Sequence, residues 1–427
     1  MVSSESFKCS LDEDCGFLHS CIEEMCFHKS LSASQPIEYL GSALIVLMST
    51  LANSTGIGGG EIMVPLLILL FFFETHLAIP LSLMLMLGSS FINTALKIPN
   101  RHPTVDRPLI NYDIVSFTLS PLLLGSTSGV LINRIIPDWL ILTLITILLF
   151  YLTIKITIKA LDTKANQGKS IPRRLSMNAT ISDNNEQIIY PGIESRIFPI
   201  KVCMEIFSVY GFGLLCVYIR GDNKAQSLIG IEYCSLEYWL LIVFRAGVLV
   251  LICVFKIRFM MKSTQDMINT NYQFAHDIKW NAKNILILTG VGFVGGLGVG
   301  LLGIGGGAIL NPALVYLGIR NDVAQATAQT MVLLISSATL FQYSFAGMIY
   351  GDYAIWFFLL AVIGASAGTW GICSLVEKYQ KKYLPELILA VVLGIATLAT
   401  PTYVISTIVN GLNYHKFQYG FMDYCKS

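Results

Sequence analysis

Polar positions along this chain do not alternate with apolar ones; they gather in short segments between long apolar runs. Runs of about 20 residues, the length that spans a bilayer core, lie at Ala78 to Leu96, Ile110 to Ile132, Trp139 to Ile158, Val202 to Ile219, Leu236 to Phe255, Val323 to Ile349, Tyr353 to Val376 and Glu386 to Val409. Each predicts a transmembrane helix. Tyr39 to Phe73 and Ile285 to Leu317 are longer, and each is split near its middle by a cluster of glycines. A straight helix of that length would overshoot the ~30 Å hydrocarbon core, while two full spans need ~40 residues. Each is therefore expected to be a broken helix or a re-entrant hairpin. Such backbone is tolerated at membrane depth only inside protein or beside water.

The two breaks repeat one another. Thr55-Gly56-Ile57-Gly58-Gly59-Gly60-Glu61-Ile62-Met63-Val64-Pro65 returns 247 positions later as Leu302-Gly303-Ile304-Gly305-Gly306-Gly307-Ala308-Ile309-Leu310-Asn311-Pro312. Gly88-Ser89-Ser90 corresponds to Ile335-Ser336-Ser337, and Gly125 to Gly129 corresponds to Gly364 to Gly368. The latter pair are small-residue patches that let helices approach closely. The expected organisation is a Cys-bearing tail (1–36), a first repeat (37–160), a loop (161–200), two central helices (201–258), a second loop (259–283), a second repeat (284–410) and a tail (411–427). The fold class is an all-α polytopic membrane protein. Its two inverted repeats each hold one Gly-broken helix and three transmembrane helices.

Cations set the orientation. Lys164, Lys169, Arg173, Arg174 and Arg196 lie in the first loop and Lys262, Lys279 and Lys283 in the second, so both are expected to be cytoplasmic. The amino-terminal tail then falls on the lumenal or extracellular side, provided that the first broken segment returns to its own face. Cys9, Cys15, Cys21 and Cys26 crowd that tail without a CxxC knuckle, a pattern that favours disulfides over zinc. Asn178-Ala179-Thr180 would sit in a cytoplasmic loop and Asn53-Ser54-Thr55 at membrane depth, so neither sequon is expected to carry sugar. Met1 to Ser30 contains no apolar core of a cleavable signal. The sequence leaves the membrane and the oligomeric state open.

Composition narrows the function. Charged residues are 13% and hydrophobic residues 54%, and the mean hydropathy is +0.65. The net charge of +1 offers no cationic surplus for nucleic acid. No phosphate-binding loop of the ATPase type, no metal-ligand spacing and no nucleophile–base pair is present, so the chain is expected to be neither an enzyme nor dependent on a cofactor.

The doubled Gly-Ile-Gly-Gly-Gly followed by proline, each copy preceding a Ser/Thr-bearing helix, resembles the sulfite exporter TauE/SafE family of membrane transporters. The likeness covers Gly41 to Ile158 and Asn284 to Val409. Cys234-Ser235-Leu236-Glu237-Tyr238-Trp239 is similar to the Cys-x-x-x-Tyr-Trp of eukaryotic members. The resemblance implies movement of small anions such as sulfite, sulfonates or organic acids.

The residues suit that chemistry. A helix restarting after a glycine break presents unpaired N–H groups and about half a positive charge. Gly56, Gly58, Gly59 and Gly60, with Gly303, Gly305, Gly306 and Gly307, are thus expected to cradle an anion at the midplane, with Asn93, Gln325 and Gln329 lining the path. Glu61, opposite Ala308 in the repeat, is a candidate proton carrier; Arg245, a costly charge in mid-span, is the other coupling candidate, expected to pair with a carboxylate, Glu205 or Glu237, or a carbonyl, the other reading being that it draws an anion in. The expected mechanism is alternating access in a secondary transporter. The other reading is a degenerate member of the family acting as a structural or scaffold subunit.

Overall fold

The computed structural model describes residues 18–22, 25–29, 31, 36–55, 60–102, 107–167, 198–269, 278, 280–372, 383–413 and 420–425. A β-hairpin, β1 (His19–Ile22) and β2 (Met25–His28), precedes the helices. These are α1 (Pro36–Thr55), α2 (Gly60–Phe71), α3 (Thr75–Lys97), α4 (Tyr112–Asn133), α5 (Asp138–Gln167), α6 (Ile200–Arg220), α7 (Leu236–Asn269), α8 (Ala282–Leu302), α9 (Gly307–Tyr316), α10 (Asn321–Phe345), α11 (Gly351–Ser366) and α12 (Tyr383–Asn413). A π-helical turn, Ala367–Ile372, continues α11. Among the described residues, 10 helices are long and apolar enough to cross a membrane. All eight predicted full-length runs are among them. Several helices outrun their predicted ends: α5 continues to Gln167 and α7 to Asn269, past the apolar stretch and into the polar segment that follows.

Each glycine-split segment forms one long helix and one short one, α1 with α2 and α8 with α9. The short helix folds back on the long one. A Cβ on Gly41, near the start of α1, would lie 2.7 Å from the ring of Phe71, the last residue of α2. Leu310 of α9 packs likewise beside Gly295 of α8. Both segments are therefore re-entrant hairpins.

Contacts between helix ends define two opposite faces of the bundle. One face collects the tail hairpin, where His28 Nε2 lies 2.8 Å from the Phe71 carbonyl and the imidazole stacks on Phe73. The same face carries Glu38, which accepts from the Tyr353 hydroxyl, and Arg134, whose Nη1 lies 2.8 Å from Asp222 Oδ1. Arg134 also donates to the Tyr233 and Tyr424 hydroxyls, and Arg220 shares Asp222 at 3.3 Å. A disulfide joins Cys234 to Cys425 beside them. Burial holds the Tyr424 phenol well above its usual range, so it serves as a neutral hydrogen-bonding group. The opposite face pairs Asn111 N–H with Thr327 Oγ1, Lys159 with Glu386, and Lys256 with Glu205. Hairpin α1–α2 enters from the first face and α8–α9 from the second.

The small-residue patches do what close packing requires. Gly125 and Gly129 of α4 abut α8: a Cβ on Gly125 would stand 2.0 Å from the Phe293 carbonyl oxygen, and one on Gly296 2.1 Å from that of Leu122. Gly364 and Gly368 at the other repeat's equivalent place abut α1, at 2.6 Å from Ser49 Cβ and 2.3 Å from the Thr50 oxygen. Each repeat's glycine helix therefore clasps the long arm of the other repeat's hairpin. Helices α6 and α7 pack on α4 at the edge of this core, with large apolar side chains such as Phe207, Val243, Leu251 and Phe255 facing outward.

Candidate functional site

Where the hairpins meet, their breaks touch. A Cβ on Gly60 would lie 2.7 Å from the Gly305 backbone nitrogen, and one on Gly305 3.5 Å from Gly60 Cα. No side chain larger than hydrogen fits at Gly60 while the other break holds its place. The thioether of Met86, from α3, fills the remaining space: its Sδ stands 2.3 Å from the Gly60 Cβ position and 3.2 Å from that of Gly305. Met86 is buried. Its role carries no signal in the sequence, because a methionine in an apolar helix reads as core.

The second break is held by polar side chains from three helices. Gly303 ends α8 in the left-handed conformation, φ 64°, which glycine adopts without strain. Ser82 of α3 donates to the Gly303 carbonyl at 3.0 Å, Tyr343 of α10 to Gly300 O at 2.5 Å and Asn133 of α4 to Leu301 O at 2.9 Å. The last carbonyls of α8, which have no intrahelical donor, are thus satisfied from outside. The start of α9 is different. Gly306 caps it without any side-chain bond, and Gly303, Gly305, Gly306 and Gly307 are all buried. Among the described residues, the N–H groups of Gly305, Gly306 and Gly307 reach no backbone carbonyl, although the neighbouring N–H groups of Ala308, Ile309 and Leu310 do. Buried N–H groups without an acceptor are rare in native proteins. Asn311 Oδ1, one turn along α9, is also buried without a partner among the described residues.

The first break is flanked by a polar ladder. Asn53 Nδ2 donates to the Ser49 carbonyl at 2.6 Å, Asn93 Nδ2 to Asn53 Oδ1 at 2.5 Å and Thr369 Oγ1 to Asn93 Oδ1 at 3.0 Å. Ser49 Oγ meets Ser89 Oγ at 3.4 Å. Asn93, predicted to line the path, is therefore the middle of a network joining α1, α3 and the π-helical turn after α11. π-Turns inside α-helices recur at functional sites. Asn53, met in the sequence only as half a sequon, is buried at 6% exposure and closed to glycosylation.

The remaining predicted residues separate. Gly56, Gly58 and Gly59 lie outside the described residues, as does the side chain of Glu61 at the start of α2. Gln329 is buried and Gln325 half-buried on α10, one and two turns before Val332, whose Cγ2 stands 3.9 Å from the Gly306 Cβ position. Arg245 is not at the crossing. Its guanidinium lies near Gly213 and Leu123, on the face of α4 turned away from α8. Neither expected partner reaches it: Glu205 takes Lys256 and Ser116, and Glu237 is exposed at the start of α7. Among the tail cysteines, Cys21 is disulfide-bonded, whereas Cys9, Cys15 and the Cys26 side chain lie outside the described residues. The pairing of Cys234 with Cys425 has no signal in the sequence, since a separation of 191 residues carries no spacing pattern. Asn178 lies outside the described residues too.

Comparison with known proteins places this architecture. The chain is 26% identical over 399 residues to sulfite exporter TauE/SafE family protein 3 of Arabidopsis thaliana, covering 91% of this chain and 82% of the relative. Family protein 1 of the same plant is 26% identical over 384 residues, covering 85% and 83%, and family protein 2 is 24% identical over 378, covering 85% and 82%. No solved structure matches. The model of the family described as sulfite exporter TauE/SafE matches residues 42–182 and 233–408. It thus takes in α7 and part of the loop after α5, both beyond the reach of the glycine motifs. With the two breaks, their clasping helices and the ten long apolar helices inside or beside the matched segments, this integral, multi-pass membrane protein belongs to the sulfite exporter TauE/SafE family of membrane transporters.

Proposed function

We propose that this chain is a secondary transporter of small anions such as sulfite, sulfonates or organic acids, and that the anion is held where the two glycine hairpins meet. The observation that supports the reading is the set of buried N–H groups at Gly305, Gly306 and Gly307, at the start of a helix and, among the described residues, without a backbone acceptor. An oxyanion satisfies such donors, and the helix dipole favours it, with no buried cation required. Gly60 approaches from the opposite side. Met86 occupies the space between the breaks, so this arrangement is an occluded one, and the thioether must swing aside for an anion to enter. Alternating access follows if the inverted repeats rock about the crossing. Gln325, Gln329 and Asn311 would line the route on one side of it and the Asn53–Asn93–Thr369 ladder on the other. Glu61, at the start of α2, is proposed to carry a coupling proton.

The two faces support one sidedness. The Cys234–Cys425 disulfide and Cys21 share one face, which fits an oxidising lumen or exterior for the amino-terminal tail. Lys159 and Lys164 at the end of α5 and Lys256 and Lys262 of α7 lie toward the other, which fits a cytoplasmic side.

Uptake of labelled sulfite into proteoliposomes, with sulfonates, sulfate and carboxylates as competitors, tests the reading directly. Saturable flux in the wild type, lost in a Gly305→Val protein that still folds, is the expected result. Absence of flux for every anion in a folded wild type would favour the scaffold reading, and undiminished flux in Gly305→Val would remove the anion from the crossing.

A further inference from the structure

Three buried arginines lie toward the disulfide-bearing face, at 5%, 5% and 4% exposure for Arg134, Arg220 and Arg245. Asp222 serves the first two at once. Arg245 has no share in it. It stands nine positions into α7, ~14 Å from the helix start, where its Nε and Nη1 reach no acceptor among the described residues. The Cys216 thiol and the Arg220 guanidinium, both on α6, are its electrostatic neighbours. The absence of a side chain at Gly213 leaves room opposite the guanidinium: a Cβ there would be 3.6 Å from Nη2 and 3.3 Å from Leu123. A buried, unpaired cation is strongly destabilising unless an opposite charge joins it, and this one adds to a positive field already set by Arg220.

We infer that Arg245 forms a second anion site, walled by α4, α6 and α7, that binds a small monovalent inorganic anion such as chloride. The site is distinct from the hairpin crossing, since α4 stands between them, and it does not rest on the transport reading. The bound anion completes the charge of the α6–α7 pair and fastens that pair to α4. Arg134 and Arg220, nearer the surface, attract anions toward it. Gly213 matters because any side chain there would take the anion's place.

The test uses the full-length protein in neutral, lipid-free detergent, so that no lipid phosphate can stand in for the free ion. Thermal unfolding is followed as gluconate is exchanged for chloride, and binding of labelled chloride is measured in parallel. The wild type should gain several degrees in melting temperature with saturable dependence on chloride. Arg245→Leu should lose both the gain and the binding, yet be no less stable than the wild type in gluconate, because an unpaired buried charge has been removed. Arg245→Lys should keep the response at roughly tenfold lower affinity, having lost the guanidinium geometry. Cys216→Ser should respond like the wild type, and so should Gly305→Val, whose defect belongs to the crossing. A wild type indifferent to chloride, or Arg245→Leu binding it undiminished, would overturn the site. So would a markedly stronger chloride response in Cys216→Ser, since a thiolate already paired with Arg245 would have kept the anion out.

Discussion

The two hairpins share a glycine sequence but are held in different ways. Hairpin α8–α9 is fixed from outside: Ser82, Tyr343 and Asn133 bind the last carbonyls of α8, and α4 clasps its length. Hairpin α1–α2 is fixed along its side. Among the described residues, the hydroxyls of Ser54 and Thr55 turn back to their own helix at Leu51 and Ala52, and its polar links to neighbours run along α1 through Glu38, Ser42, Ser49 and Asn53. The repeated motif thus specifies that a helix stops and restarts, while the flanking polar residues specify what holds the stop. Carbonyl capping leaves the α9 N–H groups as the groups still to be satisfied, and it leaves the first break a ladder of amides instead.

The largest effect is expected where the clasp is tightest. Gly125→Ala or Gly296→Ala puts a methyl within 2.0 or 2.1 Å of a backbone carbonyl, which α4 and α8 can relieve only by moving apart. Overpacking of this kind costs ~1–3 kcal/mol or more, and the prediction is a clear drop in melting temperature and yield. Gly290→Ala, on the same helix with open space around it, should be harmless in the same assay. Equal tolerance at all three positions would mean that the clasp contributes nothing.

Next is the residue between the hairpins. Met86→Phe should block anion flux in a protein that still folds, whereas Met86→Ala should retain or raise it, because the thioether is the only side chain within reach of both glycine positions among the contacts nearest to them. Flux through Met86→Phe equal to that of the wild type would place the route elsewhere.

A smaller effect separates the two kinds of support. Tyr343→Phe leaves the Gly300 carbonyl without its donor, at ~1–3 kcal/mol, and chemical denaturation should read that loss. Asn93→Leu removes a rung from the first hairpin's ladder instead. Its expected signature is a change in anion selectivity. Tyr343→Phe should leave selectivity unchanged. If both variants behaved alike, the difference between capped and laddered hairpins would have no functional meaning.

Much of this was legible in the sequence. Run lengths located the long helices, and the duplicated Gly-x-Gly-Gly-Gly located the breaks, because both depend on local backbone physics: a span needs about 20 apolar residues and a tight restart needs glycine. What was not legible depends on which residues meet across the bundle. Met86 is a core residue in any local window. Asn53 belonged to a sequon, and its bond to Asn93 spans 40 positions. Arg245 was legible as a costly charge but not its lack of a carboxylate, since Glu205 faces Lys256 at the other end. The disulfide joins segments 191 residues apart, and only a folded chain shows that Cys234 and Cys425 share a face.

The finest difference between the hairpins is Glu61 against Ala308, the one ionisable residue in either motif. A carboxylate at a helix start is favoured by the dipole, yet beside a bound anion it repels. If the anion binds only when Glu61 is protonated, wild-type flux falls as pH rises through the carboxyl's titration, and each cycle carries a proton with the anion. Glu61→Gln holds the neutral form permanently, so its flux should stay at the wild type's acid-side level across the whole range and lose its response to an imposed pH gradient. The sign is specific: a variant with flux fixed at the low, alkaline-side level would indicate that the ionised carboxylate is needed. Moving the charge to the other hairpin sharpens the comparison. The double variant Glu61→Gln, Ala308→Glu should restore pH dependence if the two restarts are equivalent toward the anion, and should remain flat if the capped hairpin alone holds it. A Glu61→Gln profile identical to that of the wild type would make the residue a helix-start carboxylate and nothing more.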